Sequence, residues 1–486
     1  MPIEHLDTLI VGAGLSGIGA AVQLQTSCPG RSFAILEGRE AMGGTWDLFR
    51  YPGIRSDSDM YTLGYGFRPW IEKKSIADGA TILQYINDTA REHDIERRIR
   101  YAHRVKRASW STADARWTLE IDRGPATQAL QLSCSFLYIC SGYYNYEQGY
   151  TPDFPGTERF AGRIVHPQKW TADIDYAGKR VVVIGSGATA VTLVPSMADS
   201  AAHVTMLQRS PTYVLSRPAE DRFANWLNRY LPGKLAYGIT RWKNVLMGSL
   251  FYKLSKSRPE RVRKLIIDAV RRSVGPNCDV DKHFTPSYKP WDQRLCLVPN
   301  SDLFRAIRKG RASVVTDHIE AFTEKGIRLR SGLELEADVV VTATGLDLLA
   351  LGGIAITVDG KALVMNKTMS YKGMMLDGVP NLAYVVGYTN ASWTLKADLT
   401  GDYTCRLLNF MDSRGYRQCT PVLADPEVKE ESWIDFTSGY IQRSIEKFPA
   451  QGNKKPWRLD QNYPLDLMTL RYGKVDDGTM VFSKGA

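Results

Sequence analysis

Two glycine-rich turns, each set between a short apolar run and a helix-compatible run, constrain this chain more than any other feature. The first lies in DTLIVGAGLSG, where Gly12, Gly14 and Gly17 follow LIV and precede IGAAVQLQ. The second lies in KRVVVIGSGATAV, where Gly185, Gly187 and Ala190 hold the corresponding places. A strand, a tight turn and a helix N-terminus in that order let the backbone approach a pyrophosphate and set the positive end of the helix against it. Each turn therefore predicts a doubly wound, Rossmann-like α/β unit that binds a dinucleotide. A length of 486 residues agrees with two or three domains at roughly 150 residues each.

The strand after each turn ends in different chemistry. SFAILE closes with Glu37, a carboxylate placed to accept hydrogen bonds from a ribose. It leads into Gly43, Gly44, Thr45 and Trp46, and a Gly-Gly pair at that distance resembles the loop that flavoproteins wrap over the isoalloxazine side of FAD. The first site is accordingly read as an FAD site, formed by Gly12, Gly14, Gly17, Glu37, Gly44, Thr45 and Trp46. The strand after the second turn, HVTMLQRSP, reaches Gln208, Arg209 and Ser210, where an NAD site would carry an acid. A carboxylate there would repel a 2′-phosphate, whereas an arginine and a hydroxyl attract one. Gly185, Gly187, Ala190, Arg209 and Ser210 are therefore read as an NADPH site.

The rest of the chain fills in around these units. Residues 75–100 look helical and polar, alternation over 103–121 predicts a small antiparallel sheet, and LSCSFLYIC reads as a buried strand running into Ser141 and Gly142. Pro152, Pro155 and Gly156 then punctuate the sequence. Further on, ADVVVTATG resembles the segment through which such proteins pass back between domains, and NLAYVVGYTNASWTLKAD predicts a strand to Gly387 and a helix after Ser392. The expected domains are residues 1–142 (FAD, first part), 143–171 (linker), 172–345 (NADPH, with a helical insertion at about 217–290) and 346–486 (FAD, second part). The FAD domain is thus discontinuous, and its last eighty or so residues carry no motif.

Composition excludes several function classes. With 44% hydrophobic and 23% charged residues the chain is globular, and no apolar run approaches the roughly 18 residues of a membrane span. The N-terminus enters a strand pattern at once, without the basic start and apolar run of a leader, so the expected compartment is the cytoplasm. Seven scattered cysteines form no C-x-x-C pair and the histidines no ligand cluster, so neither a disulfide framework nor a bound metal is expected. The net charge of +10 sits in residues 217–272, which hold fourteen Lys and Arg against four Asp and Glu. That segment lacks any nucleic-acid-binding pattern and is read as a solvated helical face, with weak association to an anionic membrane surface as the alternative. No nucleic acid and no obligate protein partner are expected.

Between the two turns, FAGRIVHPQKWT sets out Phe160-x-Gly162-x-x-x-His166-x-x-x-Trp170, and GGTWDLFRYPGIRSD follows the first turn over residues 43–57. Together these pieces resemble the Baeyer-Villiger monooxygenases of the class B flavoprotein monooxygenases, over essentially the whole chain. YPGIRSDSDMYTLG, QRSPTY and GYTNASWTLKADL look like the subgroup typified by the ethionamide-activating monooxygenase. The resemblance implies FAD, NADPH and O₂, and a C4a-peroxyflavin that inserts one oxygen into a ketone or oxygenates a sulfide or thioamide. Such chemistry needs a fixed cation near the reacting oxygen. The resemblance assigns that place to Arg294, in Gln293-Arg294-Leu295, and makes Asp57, which is also counted among the cofactor-binding residues, the partner that aims it. His166 and Trp170 are read as coupling cofactor movement to chemistry, not as acid or base. Three positions depart from the pattern: Thr171 stands where Pro or Asp is usual, Leu346 where an aromatic is common, and Gln293 where many members have a lysine that helps hold NADP⁺. The runners-up are an N- or S-oxygenating flavin monooxygenase without ketone activity and a membrane-peripheral NADPH oxidase.

Overall fold

The computed structural model describes residues 3–433 and 437–484. DTLIV lies in the strand Glu4–Val11, which is exposed at its start and buried over its last four residues. It pairs in parallel with Phe33–Leu36 on one side and Gln128–Ile139 on the other. Strand order therefore reverses at Glu4–Val11, and the crevice that opens past the carboxyl ends of such strands is where ligands bind in open α/β sheets.

Gln128–Ile139 serves two layers at once. Its first half closes an antiparallel meander with Arg116–Arg123, itself paired to His103–Ser111. Its last residues pair in parallel with Leu382–Tyr384, from the far end of the sequence. The antiparallel strands are thus hydrogen-bonded into one nine-stranded sheet with the parallel ones, instead of forming a separate small sheet.

The second sheet has five strands, all parallel, in the order Ala312–Thr316, His203–Gln208, Arg180–Ile184, Val339–Thr342, Arg163–Val165. Its central runs, Val181–Ile184 and Val339–Thr342, are buried at every position, as a sheet covered on both faces requires. The stretch around Phe160 supplies its edge strand. Phe160 is buried with Val182, Ile184 and Phe322, and a Cβ on Gly162 would lie 2.5 Å from the Asp338 carbonyl oxygen.

Each unit lends pieces to the other. Phe49 and Tyr51, just after the first glycine pair, are buried in the second unit's core. In return, the helices Arg222–Tyr230 and Gly233–Ser257 lean over the first unit, where Ala224, Tyr237 and Val245 join its core. Trp457, Tyr463, Leu470 and Met480 from the motif-free tail pack into that same core beside the helices Leu15–Ser27 and Trp393–Arg414. All seven cysteines are free. Among the described residues, no helix is long and apolar enough to cross a membrane.

Candidate active site

A cavity of about 1090 Å³ is lined by both glycine-rich turns and by residues of both units. Gly12 has φ +102°, and a Cβ there would lie 2.7 Å from the Cys140 carbonyl oxygen. Gly185 repeats this at φ +138°, with Ala343 O only 2.3 Å from the missing Cβ. Each turn tucks against the end of the neighbouring strand, a fit that only glycine permits. Gly14, Leu15 and Ser16 on one side, and Gly187, Ala188 and Thr189 on the other, bring two helix N-termini to the cavity wall. Gly17 and Ala190 do not line it. Gly17 packs its helix onto the turn, since its Cβ would meet Gly12 O at 1.8 Å, and Ala190 is fully buried.

The first cradle is closed by the Gly43-Gly44 loop. Gly44 has φ +55°, and a Cβ on it would lie 3.1 Å from Gly14 Cα. Thr45 and Trp46 follow on the cavity wall. The Glu37 carboxylate accepts from the N–H groups of Ala13 at 2.7 Å and Arg39 at 3.0 Å. Burial raises its pKa, and these two hydrogen bonds oppose that rise. A carboxylate has about four acceptor positions, so each oxygen keeps capacity for a ribose hydroxyl. At the other end, Arg209 and Ser210 are exposed on the cavity rim, together with Asp317 and His318 from the end of the next strand.

Asp57 and Arg294 meet between the cradles. Nη2 of Arg294 lies 2.8 Å from Oδ2 of Asp57, with each side chain about one-third exposed, at 34% and 31%. The Asp57 carboxylate holds the guanidinium charge and raises its pKa, while burial works against it. Asp57 is itself held: Ser56 N–H donates to Ala77 O at 2.9 Å, Arg55 pairs with Asp302, and Gly53 lies against Ser196 of the second unit. Arg294 and Gln293 come from the irregular segment leading into the strand Cys296–Pro299, which is pinned in parallel to Val214–Arg217.

Aromatic groups wall this centre. The rings of Tyr143 and Tyr144 meet edge to face at 4.6 Å, and Tyr143 lies 5.1 Å from the Trp393 ring. Trp393 Nε1 donates to Ser16 Oγ at 2.7 Å, tying the late helix Trp393–Arg414 to the first turn. Burial pushes the phenols of Tyr144 and Tyr440 up to about 12, so both are neutral donors at ordinary pH. The Arg443 guanidinium sits 3.4 Å above the Tyr150 ring on the same wall.

His166 and Trp170 stand apart from the cavity wall. His166 Nδ1 accepts from Gln168 N–H at 3.2 Å and Nε2 lies 3.3 Å from Gly345 O, so the ring bridges the edge strand to the crossing between units. Burial lowers its pKa, which favours the neutral ring. Trp170 packs against Tyr176.

Tyr143, Tyr144, Trp393, Tyr440 and Arg443 line the cavity without belonging to any of the expected site motifs. The first two follow Ser141-Gly142 at a strand end, where cavity residues are expected. Trp393 opens the helix expected after Ser392. Tyr440 and Arg443 had no local signal, and packing of Trp433, Ile441 and Phe448 around Leu348 brings them in. The donor set fits two dinucleotides: two cradles that a Cβ would fill, two helix N-termini, one buried carboxylate and one rim arginine.

Fold and cavity together define an α/β oxidoreductase of the two-dinucleotide kind. Residues 10–73 match the NAD(P)-binding Rossmann-like domain, and residues 74–370 match the flavin-binding monooxygenase-like family. Over 482 residues the chain is 56% identical to the FAD-containing monooxygenase EthA of Mycobacterium tuberculosis, covering 99% of this chain and 98% of that one. It is 52% identical, over the same shares, to EthA of Mycolicibacterium smegmatis. The chain therefore belongs to the flavin-binding monooxygenase-like family. Its fold is similar to that of a steroid monooxygenase bound to NADP (TM-score 0.78, 22% identity, 99% of this chain and 100% of that one). It also resembles cyclohexanone monooxygenase (TM-score 0.77, 19% identity, the same coverage).

Proposed function

We propose that the chain is an FAD- and NADPH-dependent monooxygenase of the Baeyer-Villiger type, converting ketones to esters or lactones and also oxygenating sulfides or thioamides. The observation that carries this reading is the Arg294–Asp57 pair set in one cavity between two dinucleotide cradles. The relatives' description as FAD-containing monooxygenases and the NADP-bound structural neighbour support it. FAD would be held by Gly12, Gly14, Glu37, Gly44, Thr45 and Trp46, NADPH by Gly185, Gly187, Arg209 and Ser210, and together they would supply reducing equivalents and oxygen activation. Arg294 presents a permanent charge to an oxygen that gains negative charge as the carbonyl carbon is attacked. Asp57 fixes the direction of the guanidinium before reaction, so no reorganisation is needed then. Tyr143, Tyr144, Trp393 and Tyr440 limit water around that charge, which strengthens the interaction. With all seven thiols free, the proposed compartment is the cytoplasm, where thiols stay reduced.

The overall balance is ketone, O₂, NADPH and a proton giving ester, NADP⁺ and water. The purified protein, reduced by NADPH without air and then given O₂ and an aliphatic ketone, is expected to form ester in step with NADPH consumed. Peroxide alone, with no oxygenated product from ketone, sulfide or thioamide, would overturn the reading. Product from sulfides but never from ketones would place the chain among S-oxygenating enzymes instead.

Arg209 carries the cofactor preference in this reading. A charge-assisted hydrogen bond contributes about 1.5–3 kcal/mol, so Arg209→Gln should lower the kcat/KM preference for NADPH over NADH by roughly ten- to a hundredfold. An unchanged ratio would move the 2′-phosphate elsewhere on the rim.

A further inference from the structure

The helices Arg222–Tyr230 and Gly233–Ser257 carry an apolar face that the described residues leave largely exposed. On the longer helix Leu235, Ile239, Trp242, Leu246, Leu250 and Leu254 are 38–58% exposed and form one stripe at helical spacing. The shorter helix packs beside it and adds Phe223, Trp226 and Tyr230, 42–64% exposed, with Trp226 and Tyr230 in ring contact at 5.5 Å. Trp242 touches Tyr463 at 5.9 Å, and just beyond it Leu465, Met468 and Tyr472 are 46–66% exposed. Three segments thus bring exposed apolar side chains together, and clustered exposed apolar groups of this kind mark an interaction site.

Its border is basic. Arg229, Lys234, Lys253, Arg258, Arg261 and Lys264 are exposed, and none forms an ion pair among the described residues. Residues 217–272 hold a surplus of ten positive charges, equal to the net charge of the whole chain. A second copy of the chain would set this surplus against itself, which like-charge repulsion opposes. Nucleic acid would meet the charges but leave the leucines without a partner. An anionic bilayer surface satisfies both, taking apolar side chains below the headgroups, aromatic rings at their level and basic groups among them.

We propose that this face docks the enzyme onto an anionic phospholipid bilayer, with the two helices lying in the interface plane and spanning nothing. Docking stands apart from the reaction, because none of these side chains lines the cavity between the cradles.

The test is flotation of the purified full chain with vesicles of phosphatidylglycerol and phosphatidylcholine, against phosphatidylcholine alone. The chain should float with the anionic vesicles and bind the neutral ones at least about tenfold less, since each basic group near such a surface contributes on the order of 1 kcal/mol. Leu246→Glu/Leu250→Glu changes only exposed positions and should abolish flotation, while Lys253→Glu/Lys264→Glu should weaken it on anionic vesicles. NADPH oxidation in vesicle-free buffer should be unchanged in both variants, which separates loss of docking from loss of fold or of activity. Absence of flotation with anionic vesicles would overturn the proposal. So would flotation that survives the leucine changes, because binding would then be by charge alone. A wild-type oligomer that the leucine changes convert to monomer, with no vesicle binding, would assign the face to a contact between copies and equally sink it.

Discussion

Arg294→Ala is expected to lose on the order of 10² to 10³ in oxygenation rate while NADPH is still consumed, the oxygen then leaving as peroxide. The size of the effect follows from the setting. The guanidinium is a permanent cation, it is aimed by a carboxylate at 2.8 Å, and it sits in a cavity walled by Tyr143, Tyr144 and Trp393. Water entering the space left by the side chain would supply neither the charge nor the orientation. Arg294→Lys keeps a charge but loses the planar fork that matches Asp57, so only partial recovery is expected. Asp57→Ala should lower kcat more than it raises KM, because in the proposed mechanism it disturbs the aim of a group used during reaction. The double variant should be little worse than Arg294→Ala, since two residues acting as a unit do not add. Ester formed per NADPH is the quantity to follow, and an Arg294→Ala enzyme that keeps that ratio would remove Arg294 from the chemistry.

The contrast between Arg294 and the tail shows what a sequence can disclose here. Gly12 and Gly185 were legible because their constraint is local: a positive φ and a carbonyl under 3 Å from the missing Cβ leave a turn no other residue. Two of the second sheet's strands, Arg180–Ile184 and Val339–Thr342, were legible as valine runs. The joining of the antiparallel meander to the parallel strands was not, because Gln128–Ile139 uses different partners along its length and its composition does not say which. Asp57 and Arg294 could be picked out only through short segments resembling a family, and their 2.8 Å contact is a product of the fold. Tyr440 and Arg443 had no such segment. They reach the cavity because Trp433 and Phe448 stack beside Leu348, a long-range contact with no periodicity to announce it. The helical insertion was visible as a run rich in helix formers, aromatics and basic groups, yet nothing local revealed that Arg241 on its buried side would find all its described hydrogen-bond partners but Tyr237 in the other unit.

Arg241 is the second place where one substitution should have a large effect, this time on stability. It is 8% exposed, and its guanidinium donates to Tyr61 O at 2.9 Å, Gly64 O at 2.8 Å and Tyr237 Oη at 3.1 Å. It also pairs with Asp398 Oδ2 at 3.1 Å, an oxygen that accepts from Gly66 N–H at 2.8 Å as well. Burial already pushes Asp398 up to about 6, with the Arg241 charge and the Gly66 hydrogen bond pulling it back down. Arg241→Met fills the space but strands a buried carboxylate and two carbonyls, and should cost about 3–5 kcal/mol in urea unfolding. The sign of the pH dependence is fixed by the direction of the shift. A folded-state pKa above the ordinary 3.8 means the folded chain binds that proton more tightly, so Asp398's contribution to stability falls as pH rises from 3.8 to about 6 and is level beyond. Without the arginine the folded pKa climbs further and the falling window extends through neutral pH. The deficit of Arg241→Met relative to the parent should therefore be smallest in mild acid and grow as pH rises past neutrality. Asp398→Asn in the Met background removes the charge while its amide oxygen still accepts from Gly66, and should restore most of the loss. A deficit that is flat with pH, or that Asp398→Asn does not relieve, would mean that the charge pair is not what holds the helical insertion on the first unit.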